Sequence, residues 1–407
     1  PHFMYQAILR KSLGSSFNFK MVNDPMPIVQ ILRDKNKATS GFFVTFVLGI
    51  ALALIPTSII GFLLNERANA LVHQQIISGM NKLSYWISNF LFDIVKVFVP
   101  ILIAIIFLYV FNLSIDSAWL LLLLFPTAIV PYTYFTSFMF SNETGAQNFT
   151  IIHHFLLGGM LPIVMQVLRI IESTQKLGDG LVWVFRFLPT YNVCCGILGV
   201  SLKDRIATAR SEATPESLNF KVAGGDVMFL VLEFFFYLFL LICIERGWFR
   251  CCKKGKDVHL DIELDDDVAR EQKRVEDTPS DQLAVKACTL KKVYGSNLAV
   301  NNISFGLEFG DCFALLGVNG AGKTTTFKML TNEIVPTHGQ SFIVNYNVKS
   351  QFADARKQIG YCPQFDAIFN LMTVREHLEF YCKIKKIPKD LVEPLIKEQL
   401  ESMDLKM

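Results

Sequence analysis

Apolar positions are not spread evenly along the chain. From Gly41 to Leu64 the stretch GFFVTFVLGIALALIPTSIIGFLL carries no charged residue over 24 positions. At about 1.5 Å of helical rise per residue, such a run crosses a hydrocarbon core of about 30 Å. Comparable runs cover Trp86 to Val110, Ser117 to Phe140, Phe149 to Leu168 and Val227 to Ile244. A further run at Leu181 to Val200 is weaker, because it holds Arg186 and Pro189. One run of this kind fits a buried helix in a soluble protein, but five or six in succession predict an α-helical transmembrane bundle. Pro56, Pro100, Pro126, Pro131 and Pro162 each leave a helix carbonyl without its N–H partner, so the spans must satisfy one another. Residues 1–40 are mostly polar and show no apolar signal-peptide core.

The pattern changes after Ile244. Arg246, Arg250, Lys253, Lys254 and Lys256 form the basic cluster expected on the cytoplasmic side of a span. The polar, acid-rich stretch from Asp257 to Asp281 then reads as a self-repelling linker. From Leu283 onward, short β-branched and apolar segments (Ala284 to Leu290, Cys312 to Leu316, Gln358 to Cys362) alternate with helical ones (Lys323 to Leu330, Val374 to Lys383). The pattern therefore divides into a pre-span segment at 1–40, a membrane domain at 41–245, a basic then acidic linker at 246–282 and an α/β domain at 283–407. No internal repeat is present.

Composition narrows the picture. With 52% apolar residues, 18% charged ones and 36 phenylalanines, the 407-residue chain is neither disordered nor a disulfide-stapled secreted module. A net charge of +3 is too small to predict a nucleic-acid partner. Nine cysteines without zinc-like spacing, several of them inside apolar runs, predict free thiols. Because the chain opens on Pro1 and closes on Met407 inside a domain-like pattern, a fragment of a longer protein is expected.

The chemistry sits in Gly317-Val-Asn319-Gly320-Ala321-Gly322-Lys323-Thr324-Thr325. It matches G-x-x-x-x-G-K-[ST], with an apolar segment before it and a helical pattern after it, which is the context the motif requires. Glycine lets the backbone turn tightly enough for successive N–H groups to face one phosphate cluster. The positive end of the following helix adds to that field. Lys323 brings a point charge to the β- and γ-phosphates, and the Thr324 hydroxyl can ligate Mg²⁺.

Three stretches together, GVNGAGKTTT, the VYG of Val293 to Gly295 and the IGYCPQFDA of Ile359 to Ala367, resemble the ATP-binding cassette of an ABC transporter. The fuller wording GDCFALLGVNGAGKTTTFKMLT followed by IGYCPQFDAIFNLMTVREHLEFY is similar to the A subfamily, whose members are linked to lipid export. Asn65 to Val95 resembles that subfamily's cytoplasmic coupling segment and next helix, and DDDVAREQKRV resembles its linker into the cassette. The likeness runs from about Met4 onward and implies a second transmembrane half followed by the first part of a second cassette, a partial α/β P-loop NTPase domain.

Carried over by residue, the resemblance implies that Tyr294 stacks on adenine, as an aromatic face can. It also implies that Gln364 reaches Mg²⁺ and the attacking water, with Phe365 and Asp366 where the cassette meets the membrane domain. The implied nucleotide site is Tyr294, Gly317, Asn319, Gly320, Ala321, Gly322, Lys323, Thr324, Thr325 and Gln364, with Thr324 and Gln364 at the metal. ATP and Mg²⁺ are the implied cofactors. A second cassette and transmembrane half are the implied partners, membrane lipid the implied cargo, and a multi-pass membrane protein with a cytoplasmic cassette the implied location. No LSGGQ signature, Asp-Glu strand end or switch histidine follows, so the catalytic carboxylate is expected beyond Met407. The 407-residue chain is then expected to bind ATP weakly without turning it over.

The membrane part leaves alternatives open. Asn65 to Gly79 reads as a short helix with Ala68, Leu71, Val72, Gln75 and Ile76 on one face. It is either a coupling helix seated on a cassette or a helix lying flat among headgroups, with Tyr85 and Trp86 at the aromatic belt. Asp93 and Lys96 read as a mutual pair. Glu233 faces either a lipid headgroup or a neighbouring helix. His153 and His154 point apart, which disfavours metal binding. Cys251 and Cys252 are either palmitoylated or plain thiols. Six spans with a cytoplasmic cassette would put Asn65 to Tyr85 outside. A re-entrant hairpin at about 178–205, which the resemblance implies, puts that segment inside, although Arg10, Lys11, Lys20, Arg33, Lys35 and Lys37 favour an inside tail. Rival functions are an ATP-gated channel or regulator, disfavoured by the few charges in the spans; a compact drug exporter, disfavoured by the pre-span segment and linker; and a nonhydrolytic truncated membrane scaffold.

Overall fold

The structure is a computed structural model describing residues 30–110, 118–209, 213–248, 265–364 and 366–405, with Lys11 by itself. Phe365, Cys251, Cys252, the basic residues of 250–256 and the side chains of residues 30–38 lie outside what it describes.

Each apolar run becomes a helix. These are α1 (Gln30–Ala68), α3 (Lys82–Val110), α4 (Ala118–Ser137) and α9 (Gly225–Glu245), with the short α2 (Leu71–Ile77) between α1 and α3. A longer rod is built from α5 (Glu143–His153), a π-helical stretch His154–Met160 and α6 (Leu161–Ile170). Among the described residues, five helices are long and apolar enough to cross a membrane. α4 is the central one, contributing Leu121, Leu122, Phe125, Ala128, Ile129 and Tyr134 to the core. α3 is the outermost, with Phe92, Val95, Val99 and Ile103 exposed. Where α1 crosses the π-helical stretch, a Cβ on Gly49 would stand 2.7 Å from the Cα of Gly159. That close approach is the small-residue packing membrane helices use in place of a hydrophobic drive.

The weaker run at 181–200 forms α7 (Gln175–Phe185), a turn at Arg186, and α8 (Pro189–Ala209). Pro189 opens α8, where its missing N–H has no partner to lose. The polar residues that weakened the run are paired inside the bundle. The Arg186 guanidinium meets the Asp226 carboxylate at 2.8 Å with both side chains buried, and Asn192 donates to Glu233 at 3.1 Å and to the Arg186 carbonyl at 2.8 Å. The Tyr237 hydroxyl donates to the Phe187 carbonyl. Asn192 thus meets α9 midway along its length, while Ser201 of α8 touches Gly41, where the apolar part of α1 begins.

Other buried polar groups are resolved in the same way. Glu233 faces a neighbouring helix. Asp93 does not pair with Lys96: Asp93 is buried and accepts from the Tyr134 hydroxyl at 2.6 Å, while Lys96 points outward. A buried carboxylate gains more from a fixed donor in the core than from a lysine that can snorkel to the surface. His153 lies 2.6 Å from the Tyr132 hydroxyl and His154 2.8 Å from the Thr190 hydroxyl. No group of metal-ligand side chains occurs among the described residues.

The soluble part holds a four-stranded antiparallel sheet in the order β2–β1–β3–β4, from β1 (Val285–Tyr294), β2 (Asn297–Leu307), β3 (His338–Ile343) and β4 (Tyr346–Asn347). The remaining helices are α10 (Asp266–Asp277), α11 (Lys323–Leu330), α12 (Phe352–Ala355), α13 (Val374–Ile384) and α14 (Lys389–Ser402). Two expectations change here. Part of the stretch read as a self-repelling linker is α10, a helix docked on the edge strand β2. Glu271 accepts from the Gly306 N–H at 3.0 Å, Arg274 donates to the Gly306 carbonyl at 2.7 Å, and Val275 is buried. Local ion pairs and aspartates in the first turn offset the like-charge repulsion. Secondly, Cys312 to Leu316 and Gln358 to Cys362 are not strands. A parallel strand needs neighbours brought alongside by crossover connections, and the four strands present pair only antiparallel. Phe313 instead stacks on Phe305, with ring centroids 5.3 Å apart.

Candidate functional site

The glycine-rich loop runs from Gly317 to Gly322 into α11, which begins at Lys323. Gly320 and Gly322 have φ of 88° and 89°, left-handed values that a side chain disfavours. Gly322 is also pressed against β2, where an added Cβ would stand 2.9 Å from the Val300 side chain and closer still to the Ala299 carbonyl. The loop is therefore fixed to the sheet at its last glycine. Lys323 curls back over it, donating to the carbonyls of Gly317 at 2.6 Å and Val318 at 2.9 Å. Its ammonium is thereby held on the loop, and the first N–H groups of α11, which follow the loop, have no acceptor within their helix.

The other predicted residues surround this loop unevenly. Thr324 is exposed on the first turn of α11 and Thr325 half-buried, while Asn319 and Ala321 are exposed on the loop itself. A cavity of about 340 Å³ beside the loop is lined by Ala299, Val300, Leu316, Gly320, Ala321 and Lys323, among others. Tyr294 ends β1, pairs across the hairpin with Asn297 and is 47% exposed as a residue, which lets a flat ligand rest against it. Gln364 is exposed at a bend and makes no hydrogen bond to the loop among the described residues. The loop, Lys323 and Thr324 are thus continuous with one another, and among the described residues Gln364 is not hydrogen-bonded to them. A cationic side chain, free helix N–H groups and a glycine-shaped backbone together form a donor set that fits a polyphosphate.

Gln364 lies just beyond a contact between the membrane part and the cassette, of the kind the coupling-helix alternative for Asn65 to Gly79 expects. α1 runs on to Ala68, and Ala70, at φ 55°, turns the chain into α2. The single helix expected from Asn65 to Gly79 is thereby broken, and Leu71, Gln75 and Ile77 are the residues buried. From α2, Gln74 donates to the Tyr361 carbonyl at 3.1 Å, and the His73 ring meets the Tyr361 ring edge-on at 5.7 Å. From the cassette side, one nitrogen of Arg356 donates to the carbonyls of Ile76 and Met80, both at 2.8 Å. A cation on the last carbonyls of a helix is a favourable cap. Tyr361 belongs to the IGYCPQFDA stretch and Arg356 to no motif; the folded chain joins both to α2.

His73 is expected to make this contact sensitive to pH. Burial pushes its imidazole below the ordinary histidine value, Glu333 draws it up, and Lys328 and Lys82 push it down. Its Nε2 is buried without a partner. A histidine depressed in the docked state takes up a proton more readily when released. Docking is therefore at full strength above the ordinary value of about 6.5 and weakens as pH falls below it. Amide-exchange protection of residues 71–80, corrected for intrinsic exchange, should fall between pH 7.5 and 5.5, and His73→Phe should flatten that fall. Equal loss in both proteins would assign the effect elsewhere.

Comparison with known proteins places this architecture. Residues 4–243 match the family model described as ABC-2 family transporter protein, and residues 300–406 match the one described as ABC transporter. The chain therefore belongs to the ABC-2 family of transporters. Within it, the likeness is to the A subfamily. The chain is 30% identical over 427 residues to ATP-binding cassette sub-family A member 2 of Rattus norvegicus, covering 98% of this chain and 18% of that protein. It is 30% identical over 438 residues to the phospholipid-transporting ATPase ABCA3 of Rattus norvegicus (96% and 26%), and 33% identical over 360 residues to the phospholipid-transporting ATPase ABCA7 of Homo sapiens (83% and 16%). The chain spans between 16% and 26% of the length of these three curated relatives. Membership of this family implies an ATP-binding domain.

Proposed function

We propose that these residues are the working joint of an ATP-driven lipid translocase, with the nucleotide site on one side and the membrane bundle on the other. The observation that carries the reading is the seat of α2 on the cassette, through Gln74, Arg356 and Tyr361, three residues before Gln364. In this reading the loop N–H groups from Gly317 to Thr325 and the Lys323 ammonium hold the triphosphate. Tyr294 rests against the base, and Thr324 with Gln364 would hold Mg²⁺, which when bound neutralises charge on the β- and γ-phosphates. Closing on nucleotide moves Gln364, the adjoining Tyr361 moves with it, and α2 carries the displacement into α1 and α3. A second cassette closes over the site and supplies its signature loop.

With the cassette in the cytosol, α7 and α8 enter and leave the bilayer from its outer side as a re-entrant hairpin, its tip held at mid-depth by Glu233 and Tyr237. Lipid as cargo is supported by the likeness to ABCA3 and ABCA7, which are named phospholipid-transporting ATPases, and by the apolar side chains that α3 exposes. The test is ATP-dependent movement of a labelled phospholipid in sealed proteoliposomes containing the whole protein. Movement that needs hydrolysable nucleotide is expected. Nucleotide-dependent ion conductance without lipid movement would replace this reading with the channel.

A further inference from the structure

The two faces of the Tyr294 ring differ. Lys292, two residues earlier on β1, lies on the same side of the strand, and its ammonium stands 5.2 Å from the Tyr294 ring centroid. The same nitrogen donates to the Val335 carbonyl at 2.6 Å, in the turn that follows α11. Around it, the Val293 N–H donates to the Thr337 hydroxyl at 3.1 Å, and the Thr337 N–H to the Lys291 carbonyl at 2.8 Å. Lysine side chains on a strand surface ordinarily keep several rotamers, and ordering one has an entropic cost. Here a carbonyl and a ring hold the ammonium in one place. β1 pairs Lys292 with Val300, the residue against which Gly322 is pressed, so Lys292 and the phosphate loop share one sheet surface.

We infer that Lys292 is a positioning residue. It props the Tyr294 ring from one face against the turn after α11, so that only the opposite face is offered to a nucleobase, and thereby sets the preference for a nucleotide over a bare polyphosphate. This rests on the reading of Tyr294 as the residue that stacks on the base. An ammonium against a ring face is attracted by the ring quadrupole. A ring held on one side loses less freedom when a base stacks on the other, which is how preorganisation raises affinity. Lys292 touches neither base nor phosphate in this arrangement, which separates it from Lys323.

The test is calorimetric titration of the whole 407-residue chain in nanodiscs with ATP and, separately, with inorganic tripolyphosphate, both with Mg²⁺. Lys292→Met keeps the length of the side chain and removes its charge. It should weaken ATP about three- to fivefold and leave tripolyphosphate unchanged, and Lys292→Arg should restore ATP binding. Tyr294→Ala should weaken ATP at least as much, and adding Lys292→Met to it should cost nothing further. Equal weakening of both ligands by Lys292→Met would overturn the inference, because the lysine would then act on phosphate or on the fold. So would a Lys292→Met chain that binds ATP normally while Tyr294→Ala does not. If Tyr294→Ala leaves ATP binding intact, base stacking itself fails and the role of Lys292 falls with it.

Discussion

Lys323→Ala should abolish nucleotide-driven transport while leaving the bundle folded. The ammonium makes two hydrogen bonds to the loop, to Gly317 and Val318, and it is the charge nearest the site proposed for phosphate. Charge-assisted hydrogen bonds contribute about 1.5–3 kcal/mol each, so affinity for ATP should fall on the order of 10- to 100-fold. Turnover in the whole protein should fall further, because the developing phosphoryl charge loses its clamp. Lys323→Arg should not rescue, since a planar guanidinium cannot curl into the space of a point-like ammonium. Photoaffinity labelling with an azido nucleotide reads the first effect and lipid movement in proteoliposomes the second. Undiminished transport by a Lys323→Ala protein that labels normally would remove the phosphate loop from the mechanism.

Arg356→Ala should separate binding from work. This guanidinium caps α2 through two carbonyls of the membrane domain and, among the described residues, makes no hydrogen bond to the glycine-rich loop. Losing it leaves Ile76 and Met80 with weakened partners at the seat of α2, at a cost of about 1–3 kcal/mol for the docked state. Nucleotide affinity should stay within about twofold of the parent, whereas lipid movement should drop on the order of tenfold. Any lipid stimulation of ATP turnover should be lost. Arg356→Lys should recover part of the coupling, because an ammonium can still reach one carbonyl. Transport that declines only in proportion to nucleotide binding would show that Arg356 serves the cassette's own stability and not the joint.

The same contact shows why the sequence could be read so far and no further. Long uncharged runs announce their helices, because a bilayer leaves a backbone no other way to satisfy its N–H and C=O groups. The glycine-rich loop is equally legible as a tight turn into a helix, since glycines at fixed spacing supply the left-handed φ values found at Gly320 and Gly322. Asp93 was harder. Its nearest charged neighbour in sequence is Lys96, but its partner in space is Tyr134, 41 positions away. The acidic stretch misled for a related reason: charge counts describe a solvated chain, whereas α10 lies against a strand edge, where Glu271 and Arg274 clasp the Gly306 peptide.

By itself, then, the sequence determined a helical membrane bundle, a glycine-rich loop at Gly317 to Gly322 and the helix α11 behind it, because each follows from periodicity or from spacing along the chain. The tertiary structure alone decided which distant groups meet. It seats α2 on Tyr361 and Arg356, sets Asn192 against Glu233 and Arg186 against Asp226 within the bundle, and brings Lys292 beneath Tyr294. The physical reason is that a buried polar group takes whichever partner the packed backbone delivers, and which one that is depends on how the helices and strands cross.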